Sequence, residues 1–540
     1  MSGDAAADAA ADPAAHEDVT AAADQLVASL MAEPWGQVSP SVYETGRLVT
    51  LAPWLVGHDS RIELLLASQR PDGGWGGPDG YGLVPTLSAT EAMLATLHRA
   101  GADASLHYGR LVEAAGRGLH KLFGWLNGGT QPSIVDTPAV EIIVPALVAS
   151  INDQLDQLRD GPVSGLDAYL GGQLQMPTDM DGRALARIRT ALASGASVPE
   201  KLFHSLEVAG GAAHRSPAVR LAAPGTVGAS PAATAAWLGA SAPSEAGHPA
   251  VRYLEAVVDR YGGPVPCAMP VTAFERTWVL STLTDGGIDY RVPADLVTDL
   301  ATSLDLAGTP AGAGLPPDAD TTAMAVLTLT HLGVRCDLDC LWQFDLGTHF
   351  CTWPGERGYS TTVNAHVLAA LGTWAVRWSG SASWGAAKLS KISAWLADNQ
   401  QEDGSWLDRW HASAYYATAC CAIALDRFGQ DVGTAAVRRA LDWVLATQRG
   451  DGSWGRWQPT VEETAYALHV LLLTRYAHDG VVRQAAARGY RFLRSAGAEN
   501  AQPSLWHDKD LYLPAAIVRA AVLAAGNLAA DSEPLSTSGA

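Results

Sequence analysis

Gln448-Arg-Gly-Asp-Gly-Ser-Trp454 is one of three copies of a short pattern, the others being Gln401-Glu-Asp-Gly-Ser-Trp406 and Gln69-Arg-Pro-Asp-Gly-Gly-Trp75. Each copy joins a Gln, an Asp-Gly pair and a Trp. Asp-Gly makes a tight turn, the Gln amide can satisfy backbone groups left open at a helix end, and the indole can fill the gap to the next element. The last two copies begin 47 residues apart (448 − 401), the length of a helix pair with its connections. A repeat of that period implies stacked helical hairpins, either closed into a barrel or extended as a solenoid.

The surrounding sequence agrees. Apolar residues recur three and four positions apart over Ser88–Arg99, Thr322–Leu332, Thr362–Trp374, Ala435–Thr447, Glu462–Tyr476 and Tyr512–Ala525, with loops rich in Gly, Pro, Asp and Asn between them. No run of alternating strands is present, so the expected class is all-α. A gap of 332 residues (401 − 69) between the first two copies divides the helices into two sets. The expected division is a first unit over 38–285 and a second over 286–540. Residues 1–37 carry a solvated tail through about residue 24 and a helix near Ala21–Ala32 that packs on the second unit. The last ten residues also read as a tail.

Composition narrows the functions. The chain has 36 basic and 56 acidic residues, a balance of −20, which argues against a nucleic acid partner. The most apolar stretch, Leu511 to Ala530, is interrupted by Pro514, Arg519 and Asn527, so it reads as a buried helix and not a membrane span. With no secretory leader visible and six irregularly spaced cysteines, the cytoplasm is the expected compartment.

The stretch with the most chemistry is Pro316-Pro-Asp-Ala-Asp320-Thr-Thr-Ala323. Two prolines stop any preceding helix and an apolar periodic run follows, so Asp318 or Asp320 can serve as an N-cap. The pattern also resembles the Asp-X-Asp-Asp motif of class II terpene cyclases, with Thr321 in place of the third Asp. This Asp-X-Asp-Thr-Thr variant is similar to that of bacterial cyclases acting on shorter diphosphates. Ser41-Val-Tyr-Glu-Thr45, Glu141-Ile-Ile-Val-Pro145, Phe274-Glu-Arg-Thr-Trp278, Asn364-Ala-His-Val-Leu368, Trp410-His-Ala-Ser413, Glu462-Glu-Thr-Ala-Tyr466 and Asp508-Lys-Asp-Leu-Tyr512 resemble further blocks of that family, in order along almost the whole chain.

The resemblance implies two α/α-barrel-like domains and an acid-initiated cyclisation of a linear isoprenyl diphosphate, the diphosphate being retained. Asp320 is then the proton donor, with Asp318, Thr321 and Asn364 around it. Trp410, Tyr415, Trp506, Tyr512 and His366 are expected to line the substrate site, His366 and His411 also being candidate proton acceptors. Arg409 and Lys509 are the candidate diphosphate cations, and Glu44 and Glu141 the candidate ligands of a Mg²⁺. The motif variant tilts the expected substrate slightly toward farnesyl diphosphate over geranylgeranyl diphosphate, and a homodimer stays open. Two other readings remain: a triterpene cyclase of the squalene type, and a non-catalytic helical repeat protein in which the acids only cap a helix. A class I activity would need an Asp-Asp-X-X-Asp metal site, and the sequence contains no Asp-Asp pair.

Overall fold

The computed structural model describes residues 13–100, 108–129, 133–178, 180–241, 247–378, 385–496 and 502–530. The expected tails at residues 1–12 and 531–540 lie outside them. The Ala- and Asp-rich start does not stay a tail as far as residue 24, because α1 already begins at Pro13 and runs to Ala32.

Two rings of helices follow. The first contains α2 (Val42–Leu51), α3 (His58–Ala67), α4 (Leu83–Ala100), α5 (Tyr108–Leu126), α6 (Val140–Asp160), α7 (Arg183–Ala193), a 3₁₀ stretch over Glu200–Ala213, α8 (Pro231–Leu238) and α9 (Pro249–Tyr261). Here α2, α4, α6, the 3₁₀ stretch and α8 touch in sequence and close on themselves. The second contains α10 (Thr272–Asp285), α11 (Ala294–Ser303), α12 (Ala319–His331), α13 (Asp339–Trp342), α14 (Thr361–Trp378), α15 (Gly385–Asp398), α16 (Ala414–Phe428), α17 (Gln430–Ala446), α18 (Val461–Leu473), α19 (Gly480–Ala496) and α20 (Ala515–Ala530). Its even-numbered helices form an inner ring in which α10, α12, α14, α16, α18 and α20 each pack on the next, and α20 returns to α10. The odd-numbered helices lie outside, and α1 fills the outer position between α20 and α10. Among the described residues the only strand pair is a short hairpin, Trp506–His507 with Leu511–Tyr512.

An inner helix is buried on every side. Residues 321–330 of α12 and 361–368 of α14 are all buried, which explains why these sequences are apolar or small all round, with little amphipathic contrast. The core they build takes in Leu26, Val27 and Leu30 of α1 and also Trp278, Val279, Leu280 and Leu283 of α10. An expected division after residue 285 therefore cuts off a helix that packs in the second ring.

The repeat works as a bracket. Gln69, Gln400 and Gln448 each donate from Nε2 to two carbonyls, one on the turn glycine (Gly73, Gly404, Gly452) and one on the next outer helix (Ala114, Ala436, Ala485). The bracket residue of the middle copy is thus Gln400, one position before the Gln401 read from sequence, and the spacing becomes 48 residues (448 − 400). The three glycines have φ of +87°, +98° and +91°. A Cβ there would meet the carbonyls of Arg117, Arg439 and Arg488, so both conformation and space require Gly. The indoles of Trp75, Trp406 and Trp454 are fully buried and donate to the carbonyls of Leu65, Leu396 and Val444.

Candidate functional site

Because helices alternate between inside and outside, the inner helices of the second ring run the same way and their N-termini gather at one end. Asp318 sits at the N-cap of α12 in extended backbone (φ −132°, ψ 159°). Its carboxylate accepts from the Thr321 N–H at 2.7 Å and the Thr321 hydroxyl at 2.9 Å. Thr321, a candidate member of the acid site, holds Asp318 in place, and no bond joins it to Asp320. Burial, followed by the neighbouring charge of Asp320, raises Asp318 to about 7 against the pull of the Thr321 N–H.

Asp320 lies one residue into the helix, in its first turn, where the helix dipole favours a carboxylate. Its Oδ1 meets Nδ1 of His366 at 2.6 Å, with the two side chains 15% and 10% exposed. Burial pushes the His366 ring toward neutrality, but the Asp320 charge outweighs it and raises the ring to about 10. His366 therefore carries its proton at neutral pH whenever Asp320 is a carboxylate. Asn364, expected to bond the donor, does not reach it. Its Oδ1 accepts from the Phe350 N–H at 2.8 Å and its amide donates to the carbonyls of Phe350 and Ser360 at 3.0 and 2.8 Å. Two residues on a helix are about 200° apart, so Asn364 and His366 face opposite ways.

A belt of rings continues from His366. Trp278 stands edge-on to it at 5.3 Å and donates its indole N–H to the Tyr416 hydroxyl at 2.8 Å. Tyr416 lies 4.7 Å from Trp506 and 5.1 Å from Tyr466, and Phe274 lies 4.6 Å from Trp278 and 5.6 Å from Trp506. Trp506 thus joins the belt and lies on the hairpin beside Tyr512, its cross-strand partner. Tyr415 points away, packing on Trp443 of α17 at 4.6 Å, and the neighbouring Tyr416 takes the inner place. Trp410 stands apart, edge-on to Trp353 at 5.5 Å. The single-residue candidates missed Phe274, Trp278, Glu462 and Tyr466, although the sequence blocks Phe274–Trp278 and Glu462–Tyr466 contain all four.

The cations proposed for the diphosphate are already engaged. Lys509 is 1% exposed and its Nζ contacts Glu44 at 2.7 Å, Glu207 at 3.1 Å, Ser230 Oγ at 2.9 Å and the His204 carbonyl at 2.9 Å. Burial disfavours its charge, but Glu207 and Glu44 overcome that and raise it. Lys509 is a buried tie between the two rings, its ammonium committed to those four partners. Arg409 also bridges the rings, pairing with Asp136 at 3.0 Å and Glu356 at 3.3 Å. It remains at the edge of solvent, with 20% of its side chain exposed. Nearby, a cleft lined by Tyr81, Pro85, Val135, Thr137, Asp510 and Leu511 opens between the rings.

The two carboxylates suggested for Mg²⁺ do not fit one. Glu44 accepts from Ser230 Oγ and from the Ala232 N–H at 2.8 Å and pairs with Lys509, and burial lifts it to about 7. Glu141 is an exposed residue in the first turn of α6. Among the described residues no cluster of three or more His, Cys, Asp or Glu could hold a metal ion. No helix described is long and apolar enough to cross a membrane.

Residues 358–511 match the family model of the squalene-hopene cyclase C-terminal domain. The chain is 43% identical over 511 residues, 94% of its length and 96% of the relative's, to the ent-copalyl diphosphate synthase of Streptomyces sp. (strain KO-3988). It is 41% identical over 521 residues to the labda-7,13-dienyl diphosphate synthase of Streptomyces clavuligerus, covering 95% of this chain and 93% of that one. The solved ent-copalyl diphosphate synthase of Streptomyces platensis superposes with a TM-score of 0.90 at 45% identity, over 95% of this chain and 99% of that one. An acid at an inner-helix N-terminus beside a ring-lined barrel mouth, and likeness over nearly its full length, place this chain among the class II terpene cyclases, with the copalyl diphosphate synthases.

Proposed function

We propose that the chain cyclises geranylgeranyl diphosphate to a bicyclic labdane-type diphosphate, with Asp320 as the proton donor. The observation that carries this reading is the Asp320–His366 pair. An imidazolium 2.6 Å from the carboxyl group stabilises the anion left once the proton has gone, and the start of α12 adds to it. Phe274, Trp278, Tyr416 and Trp506 offer electron-rich faces to the cation that follows.

The relatives favour a twenty-carbon substrate, since copalyl and labdadienyl diphosphates are C20 compounds. The tilt toward farnesyl diphosphate drawn from the Asp-X-Asp-Thr-Thr variant has no counterpart among them. With no Asp-Asp motif to ionise the allylic C–O bond, the diphosphate stays on the product. Arg409, at the edge of solvent near the cleft between the rings, is the cation best placed to meet it.

The test is incubation with geranylgeranyl and farnesyl diphosphates, then phosphatase treatment and mass spectrometry. The expected result is a bicyclic C20 alcohol, and Asp320→Asn should lower its rate by at least about 10²–10⁴-fold, as for loss of a positioned general acid. Stoichiometric release of inorganic diphosphate, or near-parental turnover by Asp320→Asn, refutes the mechanism.

A further inference from the structure

A second acid stands across the barrel from the first. In the closed order α10, α12, α14, α16, α18, α20, the helix directly opposite α12 is α18. The N-cap of α18 is Thr460, so Glu462 occupies the same first-turn position on α18 that Asp320 occupies on α12. Each acid is paired with a histidine. Glu462 Oε1 meets His411 Nε2 at 3.1 Å and accepts the Trp506 indole N–H at 2.7 Å. Between the two pairs lies Tyr416, its ring 6.4 Å from His366 and 4.9 Å from His411.

The second pair differs from the first in one respect. Glu462 and His411 are 1% and 0% exposed, yet Glu462 Oε2 has no hydrogen-bond partner. One helical turn further on, the buried Tyr466 hydroxyl, beside the same rings, also lacks one. A buried polar atom without a partner costs about 1–3 kcal/mol. Glu463, next door, spends both oxygens on Ser413, Arg456 and Thr460. Glu462 leaves Oε2 bare while its Oε1 holds His411 and Trp506, both members of the ring cluster around Tyr416.

We propose that Glu462 is the base that ends the reaction, with His411 as the positioning residue that orients it. The assignment rests on the cyclase reading given above. The π pair of the terminal alkene takes the proton from Asp320 and becomes a C–H bond, and the π pairs of the next two alkenes become the two ring bonds. Glu462 Oε2 then takes a proton from a carbon beside the final cation, and that C–H electron pair becomes the new alkene. Substrate and product are isomers, so no other reactant is consumed. Placing the base across the ring from the acid keeps the two proton transfers at opposite ends of the nascent bicycle.

The experiment compares products, not only rates, for the full-length parent, Glu462→Gln and His411→Gln. A group that merely braces the hairpin would change stability and leave the products alone. If Glu462 is the base, Glu462→Gln still consumes substrate, but the parental alkene falls roughly ten-fold or more as a share of product. Isomeric alkenes or a water-captured alcohol replace it, and His411→Gln shifts the mixture in the same direction. A folded Glu462→Gln that yields the parental mixture overturns the assignment. Should that variant not fold, Glu462→Asp keeps the charge and withdraws the oxygen by one methylene, and an unchanged isomer ratio from it overturns the assignment equally. A parent that cyclises neither the C15 nor the C20 diphosphate refutes the cyclase reading itself, which separates the two failures.

Discussion

Replacing His366 with Phe keeps a buried ring in the barrel mouth and removes only the charge and the hydrogen bond to Asp320. The size of the effect follows from the ring's displacement from its ordinary 6.5 to about 10. That corresponds to roughly 5 kcal/mol of preference for the charged ring at about 1.36 kcal/mol per decade. Burial opposes the charge, and Asp320 first and Cys420 second overcome it, so the contact between ring and carboxylate carries much of that preference. Proton transfer is incomplete at the transition state, so only part is felt there, and His366→Phe should lose about 10²–10⁴-fold in kcat. The assay is turnover of geranylgeranyl diphosphate across pH, with circular dichroism to show that the fold persists. Parental rate should fall as pH approaches 10 and the ring loses its proton, and the variant should lack that limb. For stability the sign is the same. A raised histidine stabilises fully below about 6.5 and loses this contribution as pH rises through about 10, so parent and variant converge at high pH. A folded His366→Phe working within about three-fold of the parent, with an unchanged pH profile, refutes the claim that this ring primes the acid.

Lys509→Met should destabilise the protein by about 3–5 kcal/mol, because Glu44 and Glu207 are left buried without their cation. Thermal unfolding checks this. Trp406→Ala should cost about 3–5 kcal/mol, since the indole is fully buried in the repeat bracket, with the thermal midpoint as readout and a marginal change refuting the bracket's role. Asn364→Ala should lower the thermal midpoint and leave the pH dependence of kcat unmoved, because its amide serves Phe350 and Ser360 and not the acid.

The helical class was legible because the Gln-to-Trp repeat sets both its period and its turn chemistry, and these are local. The register of the middle copy was not, because Gln400 and Gln401 are adjacent and only the bracket to Ala436 distinguishes them. The helix start at Asp318 was legible for a similar reason: a double proline, an N-cap and two first-turn hydroxyls lie within a few residues. What failed was the choice of facing residue on an inner helix. Around Asn364 and His366 every position from 361 to 368 is buried, so hydrophobic patterning has no exposed face against which to orient the helix. The same ambiguity exchanged Tyr415 for Tyr416. Lys509 was misread for another reason. Its partners Glu44, Glu207 and Ser230 are 279 to 465 residues away in sequence, and no local pattern announces a pairing of that range.

These failures bear on where chemistry can sit in such a barrel. A helix buried all round has side faces committed to packing, so its free valence is at the N-terminus, where unpaired N–H groups and the dipole favour an anion. Six inner helices present six such ends to one mouth. In α14, the ends are taken by Asp408, which accepts from Thr361 N–H at 2.7 Å and Thr362 N–H at 3.1 Å and is a cap. In α16 the Ser413 hydroxyl does the same work. Only in α12 and α18 does a carboxylate follow the cap by two residues, and there each finds a histidine and the aromatic belt in place of further backbone. A cap accepts from the N–H groups at a helix start, whereas these two acids, two residues past the cap, are held by a histidine instead. That displacement from cap to first turn is what Asp320 and Glu462 share, and the proposal made above rests on it: one gives the guest a proton and the other takes one back.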